Sequence, residues 1–267
     1  MSMHLKKLCK LFLISNLSLS LLFSTSIIKA TEITSQEEPN QISSSVCNGD
    51  SLGDCNEIIP SEKEQLEEIL SDTTLTEHQR ESAEGKLDAL KGKMTRGVYP
   101  AKTIPVTCFD QSTSYYCGPA TTKQTMHYIT GKSDSQDKIA KALNTTTAGT
   151  DGHNIVSYLN AHQTRSNYII ATNPSTSDFK TKLDVSIRNY NIPPIVRARF
   201  SKTGSWSYPT DGHYMNISGF DKNISHVELT DPNIRRANKS NHTGKYYVTI
   251  GEIIKAINDH PRQEYYW

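Results

Sequence analysis

The chain has 267 residues, an apolar content of 35% and a formal net charge of +1. This length accommodates one domain of ordinary size plus a smaller segment, and the apolar content suffices for a hydrophobic core. The near-neutral charge argues against nucleic acid or an anionic membrane as the partner.

The first thirty residues have the pattern of an export signal. Three lysines precede an apolar run from Leu11 to Phe23, and the segment ends at Ala30. The run is interrupted by Ser and Asn and is shorter than the roughly 20 residues that span a bilayer. We therefore predict a signal peptide over residues 1–30 and a secreted or cell-envelope-associated protein, without stable membrane insertion after cleavage. An uncleaved membrane anchor is the alternative.

Residues 31–96 are acidic, with a net charge of −9, whereas residues 97–267 carry +6. The first half of the acidic segment is polar and lacks apolar periodicity, as in flexible segments. The second half predicts two helices, one opened by the capping box of Ser61 and Glu64 and one over residues 76–91. Because opposite charges attract, this segment is interpreted as a propeptide that docks on the basic domain, or else as a solvated spacer or stalk.

Residues 97–267 contain the main domain. Helices are predicted mostly before strands, which indicates an α+β domain with an antiparallel sheet. The predicted helices cover residues 118–129, 135–143, 154–162 and 251–259. The predicted strands cover residues 168–171, 195–200, 214–220, 227–230 and 246–250.

Signal cleavage would leave four cysteines in a non-cytosolic compartment, where disulfides form. Cys47 and Cys55 enclose a short loop rich in turn residues and are predicted to pair with each other. Cys108 and Cys117 then need a separate explanation. They either form a second disulfide or have a chemical role.

Cys117 is followed by Gly118 and Pro119, and proline is favoured in the first turn of a helix. Cys117 is therefore expected at a helix N-terminus, where unpaired N–H groups and the helix dipole stabilise a thiolate. This makes it a candidate nucleophile, with a buried thiol or a bond to Cys108 as the alternative. Gln111, six residues earlier, could donate a hydrogen bond to the oxyanion that forms when a thiolate attacks a carbonyl.

His213 opens the apolar run HYMNISGF, so we expect it at the start of a strand with its ring directed into a cleft. Asp231 ends the run VELTDP, where Pro232 stops the strand. Adjacent strands could bring this carboxylate to the imidazole and fix its tautomer, as triad chemistry requires. A hydrogen-bonded strand histidine is the alternative. The residues that compete for the two roles are His153, His226, His242, Asp211 and Asp221.

These motifs resemble the papain-like cysteine peptidases of the C39 and C39-like group. Gln111 is followed, after five residues, by the motif Cys-Gly-Pro-Ala that begins at Cys117. About a hundred residues later come the motif Asp-Gly-His-Tyr, which contains His213, and then Asp231-Pro. The resemblance covers roughly residues 100–260. It implies a papain-like fold, with helices packed on an antiparallel sheet, in which Cys117 is the nucleophile, His213 the base, Asp231 its orienting partner and Gln111 the oxyanion donor. The export signal fits the secreted C39-like branch.

The expected function is hydrolysis of amide bonds in a peptide or protein substrate by a secreted cysteine peptidase. Since no HExxH or CxxC spacing occurs, no metal or other cofactor is predicted. Two alternatives remain open. One is a cell-wall amidase or endopeptidase that acts on peptidoglycan peptides, which a basic domain would suit. The other is a non-catalytic binding or adhesion protein in which Cys117 is bonded to Cys108.

Overall fold

The computed structural model describes residues 58–92, 98–237 and 243–267. The predicted signal peptide and the predicted Cys47–Cys55 pair lie outside these ranges. Within them, no helix is long and apolar enough to cross a bilayer.

The described residues form eight α-helices and seven strands. The helices are α1 (Glu62–Ser71), α2 (Glu77–Leu90), α3 (Cys117–Thr130), α4 (Gln136–Ala142), α5 (Gly152–His162), α6 (Thr176–Asp184), α7 (Ile234–Ala237) and α8 (Ile250–Asp259). The strands are β1 (Lys102–Thr103), β2 (Ile170–Thr172), β3 (Ile195–Phe200), β4 (Thr210–Phe220), β5 (His226–Thr230), β6 (Lys245–Thr249) and β7 (Glu264–Tyr266).

All strand pairs in the sheet are antiparallel. The order is β2-β7-β3-β4-β5-β6, and β1 pairs with part of β4. Asn216 of β4 pairs with Thr230 of β5. In an antiparallel ladder this register places Asp231, the residue after β5, diagonally across from His213 on the same face.

Alternate residues of the central strands face two apolar cores, as the two-residue period of a strand requires. Ile195 and Tyr214 lie in the cluster that includes residues of α3, α4 and α5. Val196 and Met215 lie in the cluster that includes residues of α6 and α8. Helices therefore cover both faces of the sheet, which confirms the predicted α+β class with helices packed on an antiparallel sheet.

The acidic helical hairpin α1–α2 packs against the second of these cores. Capping boxes at Ser61 and Thr76 open its two helices, as the sequence predicts for the first. Leu66 and Ala83 are fully buried in the core cluster. The hairpin belongs to the same compact unit as the rest of the described chain. Whether the acidic segment is released as a propeptide stays a prediction.

Polar contacts attach α1 to two further parts of the fold. The side-chain amide of Gln65 donates to the Ile170 carbonyl of edge strand β2 and accepts from the Ile170 N–H, both at 2.8 Å. The Glu62 carboxylate accepts from Lys182 Nζ at 2.6 Å and from the Trp267 indole at 2.7 Å. These contacts connect α1 to α6 and to the last residue of the sequence.

Several features of the fold differ from the sequence-based expectation. The strand β4 begins at Thr210, so His213 is its fourth residue and does not open it. The polar start of the strand still pairs with β3, because backbone pairing does not require apolar side chains. The short strand β1 and the four-residue helix α7 are not among the predicted elements, and neither are helix α6 and strand β7. Ser175, which caps α6, and the aromatic run around Tyr265 are the signals that indicate α6 and β7.

Candidate active site

Cys117 is the first residue of α3. Tyr116 occupies the N-cap position, and in the described part of the chain its side chain makes no capping hydrogen bond. The N–H groups of a first helical turn have no intrahelical partner and carry the positive end of the helix dipole. Gly118 fits here because a Cβ atom would lie 2.5 Å from Thr150 Oγ1. The helix start is thus held tightly against the loop that precedes α5.

His213 and Asp231 form a buried pair. His213 Nε2 lies 2.7 Å from Asp231 Oδ1, and the two residues are 4% and 0% exposed. The antiparallel register of β4 and β5 brings them together, as the sequence predicts from the strand-ending position of Asp231. The carboxylate fixes the orientation of the ring.

The imidazole of His213 also contacts the nucleophile candidate. The Cys117 side chain is hydrogen-bonded to His213. Because Asp231 occupies Nε2, Nδ1 is the ring nitrogen left for the thiol. Burial lowers the pKa of His213, but the charge and hydrogen bond of Asp231, together with Cys117, outweigh burial and raise this pKa to about 10. His213 is therefore an imidazolium at neutral pH, and its charge favours the thiolate form of its neighbour.

Four hydrogen bonds hold the Asp231 carboxylate. Oδ1 accepts from His213 and from the Asn233 N–H at 2.8 Å, and Oδ2 accepts from the hydroxyls of Tyr208 at 2.7 Å and Tyr246 at 2.9 Å. Burial raises the pKa of Asp231, but the His213 charge and these donors outweigh burial and lower it. The carboxylate is ionised at neutral pH, although the side chain is fully buried.

Gln111 lies in the loop before α3 and is half-buried. Its Nε2 donates to the Thr113 carbonyl at 2.8 Å, which leaves a second amide hydrogen on that nitrogen. Its backbone N–H donates to the Pro232 carbonyl at 2.8 Å. The structure therefore places His213 in contact with both Cys117 and Asp231, and it links Gln111 to them through Pro232, the residue that follows Asp231.

A buried polar network sets the position of α3 against the sheet. Gln124 Nε2 donates to Asn216 Oδ1 at 2.8 Å and to the Thr230 carbonyl at 3.3 Å. Its Oε1 accepts from the Phe109 N–H at 3.0 Å, and Asn216 Nδ2 donates to Thr125 Oγ1 at 2.8 Å. The Gln124 side chain thus joins the helix of Cys117 to the strand of His213, to the residue before Asp231 and to the loop of Gln111.

The competing residues lie elsewhere. His153 pairs with Asp151 at 3.3 Å, His226 with Asp221 at 2.8 Å on the surface, and Asp211 with Arg199 at 3.3 Å. His242 falls outside the described residues. In the described ranges, no group of three or more His, Cys, Asp or Glu side chains is placed to hold a metal ion.

Cys108 and Cys117 are not joined by a disulfide. The Cys108 thiol instead donates to the Asp231 backbone carbonyl at 3.1 Å. Burial, followed by the nearby charge of Asp231, raises the pKa of Cys108 to about 12. Cys108 is therefore a thiol at neutral pH and a poor nucleophile.

The sequence profile of the Peptidase_C39 like family matches residues 103–253, more than half of the chain. The chain therefore belongs to this family. The match spans Gln111, Cys117, His213 and Asp231 and confirms the resemblance to C39-like peptidases. Membership of the C39-like family supports a cysteine peptidase.

Solved structures similar to this C39-like chain include a peptidase domain, a putative C39-like peptidase and a bromelain precursor. The peptidase domain of Streptococcus ComA, described as a bifunctional ABC transporter of a quorum-sensing pathway, is 14% identical, with 61% of this chain and 96% of that chain covered and a TM-score of 0.40. A putative C39-like peptidase from Bacillus anthracis is 12% identical, with 63% and 97% covered and a TM-score of 0.46. A recombinant stem bromelain precursor is 11% identical, with 67% and 68% covered and a TM-score of 0.42. No curated protein matches the chain significantly.

Sequence reasoning missed three residues of this site. Tyr208 lies in the loop between β3 and β4, five residues before His213, and Tyr246 lies on β6, fifteen residues after Asp231. Gln124 lies seven residues after Cys117, and a polar residue in a helix is usually solvated. The buried neighbours Thr121 and Thr125 on the same helix are polar as well, so the pattern of apolar residues does not single out Gln124. Nothing in the sequence pattern distinguishes Tyr208 and Tyr246 from the other tyrosines of the chain.

Proposed function

We propose that the chain is an exported cysteine peptidase that hydrolyses amide bonds of peptides or proteins. Cys117 is the nucleophile, His213 the general base and acid, and Asp231 the residue that orients the imidazole. The observation that carries the proposal is the continuous contact from the Cys117 thiol through the His213 ring to the buried Asp231 carboxylate. A nucleophile, a base and an orienting group in contact are the parts that covalent catalysis requires.

The reaction proceeds in two halves. The Cys117 proton resides on His213, and the thiolate attacks the carbonyl carbon of the scissile amide to form a carbon–sulfur bond. The imidazolium then gives its proton to the leaving nitrogen as the carbon–nitrogen bond breaks, which releases the amine. Water attacks the thioester, its proton passes to His213, and the carbon–sulfur bond breaks to release the acid and restore the enzyme.

The oxyanion of each tetrahedral intermediate needs hydrogen-bond donors. The Cys117 backbone N–H at the start of α3 supplies one, and the second amide hydrogen of Gln111 supplies another. The hydrogen bond from Gln111 Nε2 to the Thr113 carbonyl fixes the rotation of the amide, and the backbone contact with Pro232 fixes the loop. Both contacts hold Gln111 in place before substrate binds.

Export rests on the N-terminal pattern of lysines followed by an apolar run. Residues 97–267 carry a net charge of +6, but the acidic hairpin α1–α2 packed on them brings the described residues to a net charge of zero, so charge does not select the substrate. Membership of the peptidase family makes peptide substrates the first choice in an assay, and purified peptidoglycan is the second.

The test compares the wild-type chain with Cys117→Ala and His213→Ala on a fluorogenic peptide library. Both substitutions should abolish turnover while the circular dichroism spectrum stays that of the wild type. His226→Ala is the matched control, because it removes a histidine from a surface His–Asp pair and should retain full turnover. Turnover by Cys117→Ala would reject the mechanism. Release of new amino groups from peptidoglycan, with no cleavage in the peptide library, would redirect the proposal to a cell-wall amidase or endopeptidase.

Iodoacetamide provides a second measurement that needs no substrate. It reacts with thiolates, so it should alkylate Cys117 rapidly near neutral pH and Cys108 slowly. His213→Ala should slow alkylation of Cys117 at neutral pH, because the imidazolium that favours the thiolate is gone. Slow labelling of Cys117 in the wild-type chain would contradict an activated nucleophile.

A further inference from the structure

One oxygen of the Asp231 carboxylate, Oδ2, faces two tyrosine hydroxyls. Oδ2 accepts a hydrogen bond of 2.7 Å from Tyr208 and one of 2.9 Å from Tyr246. The other oxygen, Oδ1, accepts hydrogen bonds from His213 and from the Asn233 N–H. The two oxygens of the carboxylate thus have different partners, and only Oδ1 faces the catalytic histidine.

The two tyrosines reach Asp231 from different parts of the chain. Tyr208 lies just before β4, and Tyr246 lies on β6, the strand on the far side of β5. Their side chains approach the carboxylate from the β3–β4 connection and from the neighbouring strand. Two elements that do not carry the triad therefore fix one of its members.

Aromatic contacts hold both rings in place. Phe200 stacks on Trp206 at 3.9 Å between centroids and meets the Tyr208 ring edge-on at 5.3 Å. Trp206 meets Tyr246 at 6.4 Å, also edge-on. These contacts involve the rings and not the hydroxyls, so replacing tyrosine by phenylalanine removes a donor and keeps the packing.

We propose that Tyr208 and Tyr246 are positioning residues that keep the Asp231 carboxylate ionised and keep its Oδ1 directed at His213. The physical reason is that a fully buried carboxylate needs donors for both oxygens if it is to remain charged. The proposal goes beyond the proposed peptidase activity, and only its catalytic consequence rests on that activity. Both tyrosines donate to the carboxylate, and the Tyr208 ring also meets the His213 ring edge-on at 5.9 Å between centroids.

The electrostatic surroundings agree with this role. Burial, followed by the charge of Asp231, raises the pKa values of Tyr208 and Tyr246 well above the usual range, so both hydroxyls stay protonated and donate. The titratable and charged groups that face Asp231 or its tyrosine partners are His213 of β4, Tyr246 of β6, Tyr208 of the β3–β4 connection, Cys108 and Cys117 of the segment around the start of α3, and Arg236 of α7.

The test titrates the Asp231 carboxyl directly in the full chain. Aspartate labelled with ¹³C at the side-chain carboxyl gives one signal per residue, and Asp231→Asn identifies the signal of Asp231 by its loss. In Tyr208→Phe/Tyr246→Phe the midpoint of that signal should rise by about one pH unit for each hydroxyl removed, because each donor stabilises only the ionised form. An unchanged midpoint in the double variant would overturn the proposal.

Kinetics on the peptide library provide the second arm. The double variant should lower kcat about 10- to 100-fold with KM within twofold of the wild type, since the tyrosines affect orientation and not substrate contact. The acid limb of kcat should move to higher pH together with the carboxyl midpoint. A fall in kcat with an unchanged acid limb would mean a merely structural role and would reject the proposal.

Tyr247→Phe is the matched control. Tyr247 is the exposed neighbour of Tyr246 on β6 and does not contact Asp231, so loss of its hydroxyl should leave the carboxyl midpoint and kcat unchanged.

The carboxyl titration and the peptide kinetics together separate the tyrosine proposal from the proposed peptidase function. If the carboxyl midpoint shifts as expected but no peptide is cleaved by the wild-type chain, the tyrosine role stands and the peptidase function falls. If peptides are cleaved and the carboxyl midpoint does not shift, the peptidase function stands and the tyrosine role falls.

Discussion

Gln124 on α3 and Asn216 on β4 are joined by a buried hydrogen bond of 2.8 Å. Gln124 lies seven positions after Cys117, and Asn216 lies three positions after His213. The bond therefore joins the helix of Cys117 to the strand of His213. Gln124 also donates to the Thr230 carbonyl, next to Asp231. Polar contacts outside Cys117, His213 and Asp231 thus help to hold the three elements that carry these residues together.

Replacing Gln124 by Ala should lower the free energy of unfolding by about 1–3 kcal/mol, because the Phe109 N–H and Asn216 Oδ1 lose their partner inside the protein. Combined with Asn216→Ala, the two losses should not add, since both variants break the same bond. Chemical denaturation of the single and double variants measures this coupling. Additive losses would show that the two side chains do not act together.

The charge of Asp231 should control the alkaline limit of activity. His213 has its pKa raised to about 10, so the imidazolium that protonates the leaving amine persists up to that pH and is lost above it. In Asp231→Asn the charge that raises the pKa is gone and burial still lowers it, so the alkaline limb of kcat/KM should move to lower pH. Asp221→Asn, in the surface pair with His226, is the control and should not move the limb.

The raised pKa of His213 should also make the free energy of unfolding depend on pH. The folded pKa of about 10 exceeds the unfolded value of 6.5, so the contribution of His213 is fully present below pH 6.5 and disappears as the pH rises through 10. The difference in unfolding free energy between the wild type and His213→Gln should therefore shrink from pH 6 to pH 10.5. Denaturant titrations at the two pH values check this, and an equal difference at both would contradict the ionisation of the buried pair.

Cutting the chain between Gly92 and Val98 should not raise activity. An inserted protease site there would separate α1–α2 from the domain, and a propeptide that inhibits the site would then leave and increase turnover. Because Leu66 and Lys86 are fully buried, we expect the hairpin to stay bound after cleavage, with turnover unchanged. Size-exclusion chromatography and the peptide assay, before and after cleavage, measure both outcomes.

A chain that starts at Val98 provides the complementary measurement. It lacks the hairpin altogether, and Leu66 alone contributes about 2–5 kcal/mol when a buried leucine is truncated to alanine. We expect a lower melting temperature and lower activity than for a chain that starts at Pro60. Higher activity of the shorter chain would favour the inhibitory propeptide.

The sequence predicts those parts of the fold that depend on local patterns. The capping box of Ser61, the glycine and proline after Cys117, and the proline that ends the strand at Asp231 each act within a few residues. The geometry of the site agrees with the motif-based choice of His213 over its competitors. For each of these features, the physical cause is near its effect in the chain.

Features that depend on distant contacts were not predictable in the same way. The role of Tyr246 follows from the pairing of β6 with β5, which no local pattern encodes. The start of β4 at Thr210 follows from backbone pairing with Phe200 across a hairpin. Such features depend on which strands become neighbours, so they appear only when the whole sheet is assembled.

The pairing of Gln65 with Ile170 has a consequence for the behaviour of the molecule in solution. At this position the side-chain amide takes the place of a peptide group of a further strand and covers the outer edge of β2. An uncovered strand edge is a template for strands of other molecules. Gln65→Ala should therefore promote concentration-dependent self-association, and light scattering of the variant against the wild type would detect it even where the catalytic residues are unaffected.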